Sequence, residues 1–257
     1  MLKKVEYNLF TPTSLILVGI CWCFLTYGGL VSKIFLPSPS QVLGAALELW
    51  QDGTLLSYTL DSLYRVGVGF LLAAFLAIPL GILMGSSKLA EAILEPLIDF
   101  VRYLPVTALV PLLILYFGIG DLQKMSVIFI GTFFQLVLLI ADVTANISKD
   151  LIRAAYTLGA NRWQVFRRVL LPAAMPGIID NLRITMGWAW TYLVVAELVA
   201  ANSGLGYMIL KAQRFLQTEK IFLGLIIIGI LGIITDYLFK LFFKLYLPWS
   251  EKVGGSR

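Results

Sequence analysis

The 257-residue chain contains no histidine, and only 14% of its residues are charged. Without histidine it lacks the usual base for neutral pH and the commonest metal ligand, so we predict no metal site. It also lacks a Gly-x-x-x-x-Gly-Lys-Ser/Thr segment, the loop that cradles nucleotide phosphates, so we expect no ATP site in this chain. No spacing of residues suggests a catalytic triad or a cofactor motif. The sequence therefore predicts no catalytic residue and argues against an enzyme.

Cysteine is scarce, and the two that occur, Cys21 and Cys23, point in different directions on a helix and cannot bridge each other. Hydrophobic residues make up 59% of the chain and the mean hydropathy is +0.88, which is too apolar for a water-soluble domain. The net charge of +5 fits the basic cytoplasmic loops of a membrane protein better than a nucleic-acid site. We predict an all-α polytopic membrane protein with one domain, residues 1–257.

Six segments are long and apolar enough to cross a bilayer, because about 30 Å of hydrocarbon needs about 20 helical residues. The predicted spans are residues 12–32, 63–87, 99–119, 123–143, 175–200 and 221–243. The first is interpreted as a retained helix rather than a signal peptide, since its uncharged run is long enough to span. A turn signal after Leu36 and a second break at 202–207 predict short amphipathic helices, 41–50 and 207–217, near the outer surface.

Basic residues set the predicted orientation, because loops rich in Lys and Arg stay in the cytoplasm. They concentrate in the segment 144–174 and in the C-terminal tail: Lys149, Arg153, Arg162, Arg167, Arg168, Lys244, Lys252 and Arg257. With six spans both segments and the N-terminus fall on one side, which predicts cytoplasmic N- and C-termini. One basic cluster, Lys211, Arg214 and Lys220, falls on the outer side against this rule, and five spans with a different last segment would be an alternative that removes the conflict.

The cytoplasmic loop reads as a helical hairpin. Residues 149–158 form the first helix, Gly159 supplies a left-handed stop, Asn161 caps the second helix and Pro172 ends it. Ala154 and Ala155 leave a small, flat surface on the first helix that another protein can approach closely. The loop therefore predicts a docking site for a partner protein.

These residues resemble the cytoplasmic loop of ABC importer permeases: Ala154-Ala155, three residues, Gly159, nine residues, then Val169-Leu-Leu-Pro172. The family usually has Glu where Arg153 stands and Ile where Val169 stands. The resemblance implies the type I ABC importer permease fold, in which this loop carries a coupling helix that docks on a separate ATPase. The coupling residues it implies are Arg153, Ala154, Ala155, Leu158, Gly159 and Pro172.

The resemblance extends over residues 35–250 and narrows to the permeases for nitrate, sulfonates, taurine and bicarbonate. It is carried by Leu36-Pro-Ser-Pro, Ser62-Leu-Tyr-Arg-Val, Ile78-Pro-Leu-Gly-Ile-Leu-Met-Gly85, Phe117-Gly-Ile-Gly120 and the segments Leu182-Arg183 and Trp188 to Glu197. Some relatives in this branch carry vitamin precursors. The resemblance implies a prokaryotic inner-membrane homodimer that works with two ABC ATPase subunits, which bind ATP and Mg, and a periplasmic or lipid-anchored binding protein.

Arginine inside a membrane helix costs about 2.5–3.5 kcal/mol on insertion scales, so each one needs a reason to be there. Arg65, Arg102 and Arg183 each have an acidic residue one turn earlier, namely Asp61, Asp99 and Asp180. Each of the three either forms a local pair near an interface or, in the case of Arg65 or Arg183, faces the transport pathway and helps an anion across. The candidate pathway residues are Arg65, Tyr103, Gln135, Arg183, Trp188, Trp190 and Glu197. Pro79, Pro105 and Pro111 remove helical hydrogen bonds and fit spans that face protein or a cavity.

A different mechanistic class remains open. Glu197 or Asp142 is a candidate proton relay in a proton-coupled secondary transporter or a channel. Such proteins are often built from internal repeats, and none is visible in this sequence. Gly81 and Gly85 are spaced for close helix packing, and two copies of the chain are one candidate pair for that contact.

Overall fold

The computed structural model describes the backbone of residues 2–247 and the side chains of residues 13–247, except those of Leu15 and Ala200. Within residues 2–247 the chain forms helices and no strands, which confirms the predicted all-α fold. The helices are α1 (Leu2–Tyr27), α2 (Pro39–Gln51), α3 (Thr54–Ser86), α4 (Lys88–Arg102), α5 (Val106–Phe117), α6 (Asp121–Ala145), α7 (Lys149–Thr157), α8 (Arg162–Val165), α9 (Leu171–Ala200), α10 (Leu205–Arg214) and α11 (Thr218–Tyr246).

Three helices, α3, α6 and α11, are long and apolar enough to cross a membrane, and α4 with α5 makes a fourth candidate if the bent pair is one span. α9 has 30 residues and coincides with the predicted fifth span. α1 coincides with the first but ends at Tyr27, and its apolar part is Ile16–Tyr27. α3 begins at Thr54, nine residues before the second predicted span, and ends at Ser86. The count of six spans stays a prediction.

The third predicted span, 99–119, is interrupted at Pro105, one of the two prolines predicted to interrupt it. Two helices, α4 and α5, meet there at 91°. Pro105 lacks a backbone N–H and disfavours helical geometry at the residue before it, so helical hydrogen bonding stops at Tyr103 and resumes from Val106. α4 is amphipathic, with five charged residues among apolar ones: Lys88, Glu91, Glu95, Asp99 and Arg102.

The core of the fold is the contact between α3 and α6, and glycines on α3 make it close. A methyl group added at Gly81 would lie 2.7 Å from both Ile140 Cβ and Val137 O of α6. One added at Gly85 would lie 2.6 Å from Thr144 Cβ. The suggestion that Gly81 and Gly85 join two copies is therefore wrong, because α6 of the same chain occupies their faces.

The two predicted outer helices are present as α2 and α10, close to the predicted 41–50 and 207–217. Ser38 precedes α2, and its backbone N–H donates to Gln41 Oε1 over 2.9 Å. The three basic residues that the predicted topology places outside are stabilised within the fold. Lys211 and Arg214 lie in the last turn of α10, where the helix dipole favours positive charge, and Lys220 Nζ lies 3.0 Å from Glu48 Oε1. Of the basic tail residues, Lys252 and Arg257 lie outside the described residues.

Candidate functional site

The loop between α6 and α9 forms the predicted helical hairpin. α7 covers Lys149–Thr157, and Gly159 follows with φ of +82°, the left-handed conformation that glycine adopts without strain. Asn161 Oδ1 accepts from the backbone N–H of Gln164 over 2.9 Å, and Gln164 Oε1 accepts in return from the backbone N–H of Asn161 over 2.9 Å. These two predicted signals, the glycine stop and the asparagine cap, are both confirmed.

The predicted end of the second helix at Pro172 is wrong. α8 continues through a π-helical turn, Phe166–Leu170, directly into α9, and Pro172 lies in the first turn of α9. Pro172 cannot donate a backbone hydrogen bond, and the wider π-helical turn before it changes the hydrogen-bond pattern at this point. The helix therefore continues past the proline. The hairpin is therefore joined to α9 by continuous helical backbone.

The hairpin presents apolar side chains to the surroundings of the single chain. Leu158 is 88% exposed and Trp163 is 65% exposed, and the Trp163 ring stacks on Phe166 with centroids 5.7 Å apart. None of the nine residues of α7 is buried. Arg153 lies beside Asp150, with Nη1 to Oδ1 at 3.5 Å, and both side chains are exposed. Large apolar residues that are exposed in the single chain make this hairpin a candidate surface for a partner protein.

A cavity of about 320 Å³ lies at the break between α4 and α5. Its walls come from the break itself, residues 101–107, and from the middle of α6 and α9: Ile130, Gly131, Phe134, Gln135 and Tyr192. Two predicted pathway residues, Tyr103 and Gln135, line it. Gly131 makes room for the ring of Tyr192, since a methyl group there would lie 2.5 Å from that ring.

Arg102 brings positive charge to this cavity. Its Nε donates to Asp99 Oδ1 over 2.7 Å, which confirms the local pair predicted for it, and its Nη2 donates to the Tyr103 hydroxyl over 3.1 Å. The guanidinium carbon lies 4.7 Å from the centre of the Tyr103 ring. Among the described residues Nη1 has no hydrogen-bond partner, so the guanidinium retains donors for an anion in the cavity.

Arg65 and Glu197 meet in a buried polar network between α3 and α9. Arg65 is only 4% exposed and Glu197 is fully buried, and Arg65 Nη1 donates to Glu197 Oε1 over 2.6 Å. Arg65 Nε donates to Asp121 Oδ1 at the start of α6 over 2.7 Å. Ser203 accepts twice from the same guanidinium, through its carbonyl oxygen at 2.7 Å and its hydroxyl at 2.8 Å. The predicted pairing of Arg65 with Asp61 is wrong.

The network also caps α10. Glu197 Oε2 accepts from the backbone N–H of Gly206 over 2.8 Å, and Ser62 Oγ accepts from the backbone N–H of Leu205 over 2.9 Å. These are the first N–H groups of α10, which have no partner within the helix and favour a carboxylate. Gly204 has φ of +108°, and a methyl group there would collide with the Glu197 carboxylate and lie 2.6 Å from Arg65 Nη1. The network fixes the outer helix to the bundle.

The remaining predicted pathway residues lie elsewhere. Arg183 pairs with Asp236 of α11, a partner that its predicted pairing with Asp180 did not include. Trp190 is buried, and its Nε1 donates to Thr235 Oγ1 over 3.3 Å. Trp188 is partly exposed on α9. Thus only Tyr103 and Gln135, of the seven candidates, line the cavity at the break.

Sequence reasoning missed several partners. Asp121, Ser62 and Ser203 hold the network, and Asp236 holds Arg183. Each comes from another helix or turn, at a sequence distance that no periodic pattern encodes. The sequence did contain one signal for the cavity, the Pro105 break beside Arg102.

The family profile of the binding-protein-dependent transport system inner membrane component matches residues 77–247. The chain belongs to this family. A Bacillus subtilis permease named for aliphatic sulfonate transport is 37% identical over 227 residues, 88% of this chain and 82% of that one. The Escherichia coli taurine transport permease is 35% identical over 253 residues, 96% of this chain and 92% of that one.

The permease also resembles a solved structure, the MetNI methionine ABC transporter in an inward-facing conformation. The match has a TM-score of 0.61 and 20% sequence identity, and covers 74% of this chain and 97% of that one. At this identity the likeness shows the fold alone. It confirms the type I ABC importer permease fold predicted from the loop motif.

Proposed function

We propose that this permease is the membrane-spanning subunit of an ATP-driven importer for small sulfonates of the taurine class. The observation that carries the proposal is the α7–α8 hairpin, which has the family's loop motif and exposes Leu158 and Trp163, neither of which is covered by the described part of the chain. A separate ATPase covers this surface. The sulfonate class follows from two relatives that share most of the chain and are named for sulfonate or taurine transport.

Two permease copies pair, and each hairpin docks on one of two ABC ATPase subunits that bind ATP and Mg. The chain lies in the inner membrane of a prokaryote with both termini in the cytoplasm. Because α8 runs through the π turn into α9, closure of the ATPases pulls on a helix that lines the cavity through Tyr192. A periplasmic or lipid-anchored binding protein delivers the substrate to the outer face, where α2 and α10 lie.

The cavity at the α4–α5 break lies on the substrate pathway. A sulfonate is an anion whose oxygens accept hydrogen bonds, and Arg102 offers a partly neutralised positive charge beside the Tyr103 hydroxyl. An anion entering a cell against 100 mV climbs about 2.3 kcal/mol, so uptake needs an energy source. ATP hydrolysis by the partner supplies it in this proposal.

The test is uptake into proteoliposomes that hold the permease with its ATPase and binding protein, with ATP on the ATPase side. Labelled taurine, nitrate, bicarbonate and an aromatic vitamin precursor are compared. We expect ATP-dependent taurine uptake. Uptake driven by a proton gradient without ATP would show a secondary transporter, and ATP-dependent uptake of another substrate alone would overturn the sulfonate assignment.

A matched pair of variants tests the hairpin. Leu158→Asp places a charge on the exposed apolar surface and is expected to abolish both co-purification of the ATPase and uptake. Asp150→Asn changes an equally exposed polar residue of the same hairpin and is expected to keep both. If Leu158→Asp retains the ATPase and transports at the parental rate, the hairpin is not the docking site.

A further inference from the structure

An apolar groove runs between α9 and α11, away from the cavity at the helix break. It encloses about 410 Å³ and is lined by Ile179, Leu182, Met186, Thr235, Leu238, Phe239 and Phe242. From Ile179 to Met186 it extends roughly 10 Å along α9, at 1.5 Å per residue. The groove is thus an apolar slot about 10 Å long between the two helices.

Charged residues lie beside this groove. Arg183 follows Leu182 on α9 and forms an ion pair through Nε with Asp236 Oδ1. Lys240 follows Phe239 on α11, and its Nζ lies 2.6 Å from Asp236 Oδ2. Two cations thus share the Asp236 carboxylate, and these three side chains together carry a net charge of +1. Asp180, one turn before Arg183 on α9, is engaged in an interaction of its own. Lys240 is 55% exposed and Arg183 37%, so both reach the surroundings.

Arg183 and Lys240 both have N–H groups beyond those that contact Asp236, which favours an anionic ligand. Among the described residues, the hydrogen bond of Arg183 uses Nε only, so its two terminal nitrogens remain available. Lys240 has three N–H donors and one described partner. By contrast, the one hydroxyl of the groove is already engaged: Thr235 Oγ1 donates to Gly232 O over 2.9 Å and accepts from Trp190. The groove itself offers no polar group to a hydrophilic substrate.

We propose that this groove binds a glycerophospholipid with an anionic head group from the cytoplasmic leaflet. One acyl chain fills the apolar slot, and the phosphate meets Arg183 and Lys240, whose long side chains extend along the helices toward the interface. Basic pockets between membrane helices on the cytoplasmic side bind anionic head groups in this way. The leaflet assignment rests on the proposed orientation, in which the C-terminal end of α11 faces the cytoplasm.

The apolar slot and the net positive charge together exclude the simpler ligands. A free anion makes no favourable contact with an uncharged groove of this length. A zwitterionic lipid, which has no net charge, binds little more tightly because of the positive charge of Arg183 and Lys240. The site explains why Arg183 lies on α9 without reaching the cavity at the helix break. It assigns to Arg183 a lipid contact in place of the pathway role that its sequence suggests.

The experiment is native mass spectrometry of the purified permease complex, titrated with phosphatidylglycerol or phosphatidylcholine of the same chain length. The complex is expected to retain phosphatidylglycerol in preference to phosphatidylcholine. Each cation near a head group contributes roughly fivefold in affinity. The double variant Arg183→Gln with Lys240→Gln is therefore expected to weaken phosphatidylglycerol binding about 25-fold and to leave phosphatidylcholine unchanged.

Two further variants keep the test decisive if that protein folds poorly. Asp236→Asn leaves both cations in place, raises the net charge to +2 and is expected to tighten phosphatidylglycerol binding roughly fivefold. Leu182→Trp fills the slot and is expected to reduce retention of both lipids. The matched control, Lys211→Gln with Arg214→Gln, removes two cations from α10 and should not change the preference.

Equal retention of the two lipids by the parent complex would overturn the proposal. So would unchanged phosphatidylglycerol binding in the Arg183/Lys240 variant, or dissociation of permease copies by Leu182→Trp, which would show that a second copy covers the groove. Lipid binding is measured without ATP or substrate. Failure of sulfonate uptake would therefore refute the proposed function and leave this result standing.

Discussion

Replacing Glu197 by alanine tests whether the buried network holds the outer helix on the bundle. The change removes the carboxylate that accepts from Arg65, Ser62 and the backbone of Gly206. Arg65 stays buried, with Asp121 as its remaining acidic partner. Removing one partner of a buried ion pair costs about 3–5 kcal/mol, because the other charge is left without compensation.

Thermal unfolding in detergent, followed by the fluorescence of the chain's six tryptophans, measures this cost. For a chain of this size each kcal/mol shifts the midpoint by about 2–4 °C. Glu197→Ala is therefore expected to unfold about 6–20 °C below the parent. In a double-mutant cycle, Arg65→Ala combined with Glu197→Ala should cost about 2–3 kcal/mol less than the sum of the single variants.

The control is Glu48→Ala, which removes the exposed partner of Lys220. An ion pair with one solvent-exposed member contributes about 0–1 kcal/mol, so we expect a shift of at most about 4 °C. The reasoning is refuted if Glu197→Ala unfolds within the range of this control. Strict additivity in the cycle would refute it too, since the two side chains would then contribute independently.

Three glycine substitutions give further predictions, each with a measurement. Gly53→Ala strains a residue with positive φ and should cost about 1–2 kcal/mol. Gly204→Ala causes the same strain and also a collision with Glu197, so this variant should unfold at a markedly lower temperature than Gly53→Ala in the same assay. Gly81→Ala collides with α6 and should destabilise, while Gly67→Ala on the same helix meets open space and should be neutral or stabilise by up to about 1 kcal/mol. Gly159→Ala strains only the hairpin, so ATPase co-purification should weaken while the unfolding midpoint stays within about 4 °C. Equal effects within either glycine pair, or a large fall in midpoint at Gly159, would contradict these assignments.

Local signals were enough to predict several features. Hydropathy runs located the long helices, and Gly159 and Asn161 set the hairpin because a left-handed stop and a cap act within a few residues. Pro105 marked the interruption of the third span, although the 91° bend it introduces depends on what α4 and α5 pack against. The loop motif identified the family, since its residues lie close together in sequence.

The sequence by itself determined that this chain is an all-helical membrane permease with a helical hairpin between its long helices, because helix periodicity, caps and hydropathy are properties of neighbouring residues. Only the tertiary structure decided which charges meet. Arg65 has an acid four residues away, yet it pairs with Glu197, 132 residues later, because packing of α9 against α3 buries both groups. Arg183 likewise finds Asp236 on α11. A buried charge takes the partner that the packed helices bring within reach, and sequence distance does not encode that choice.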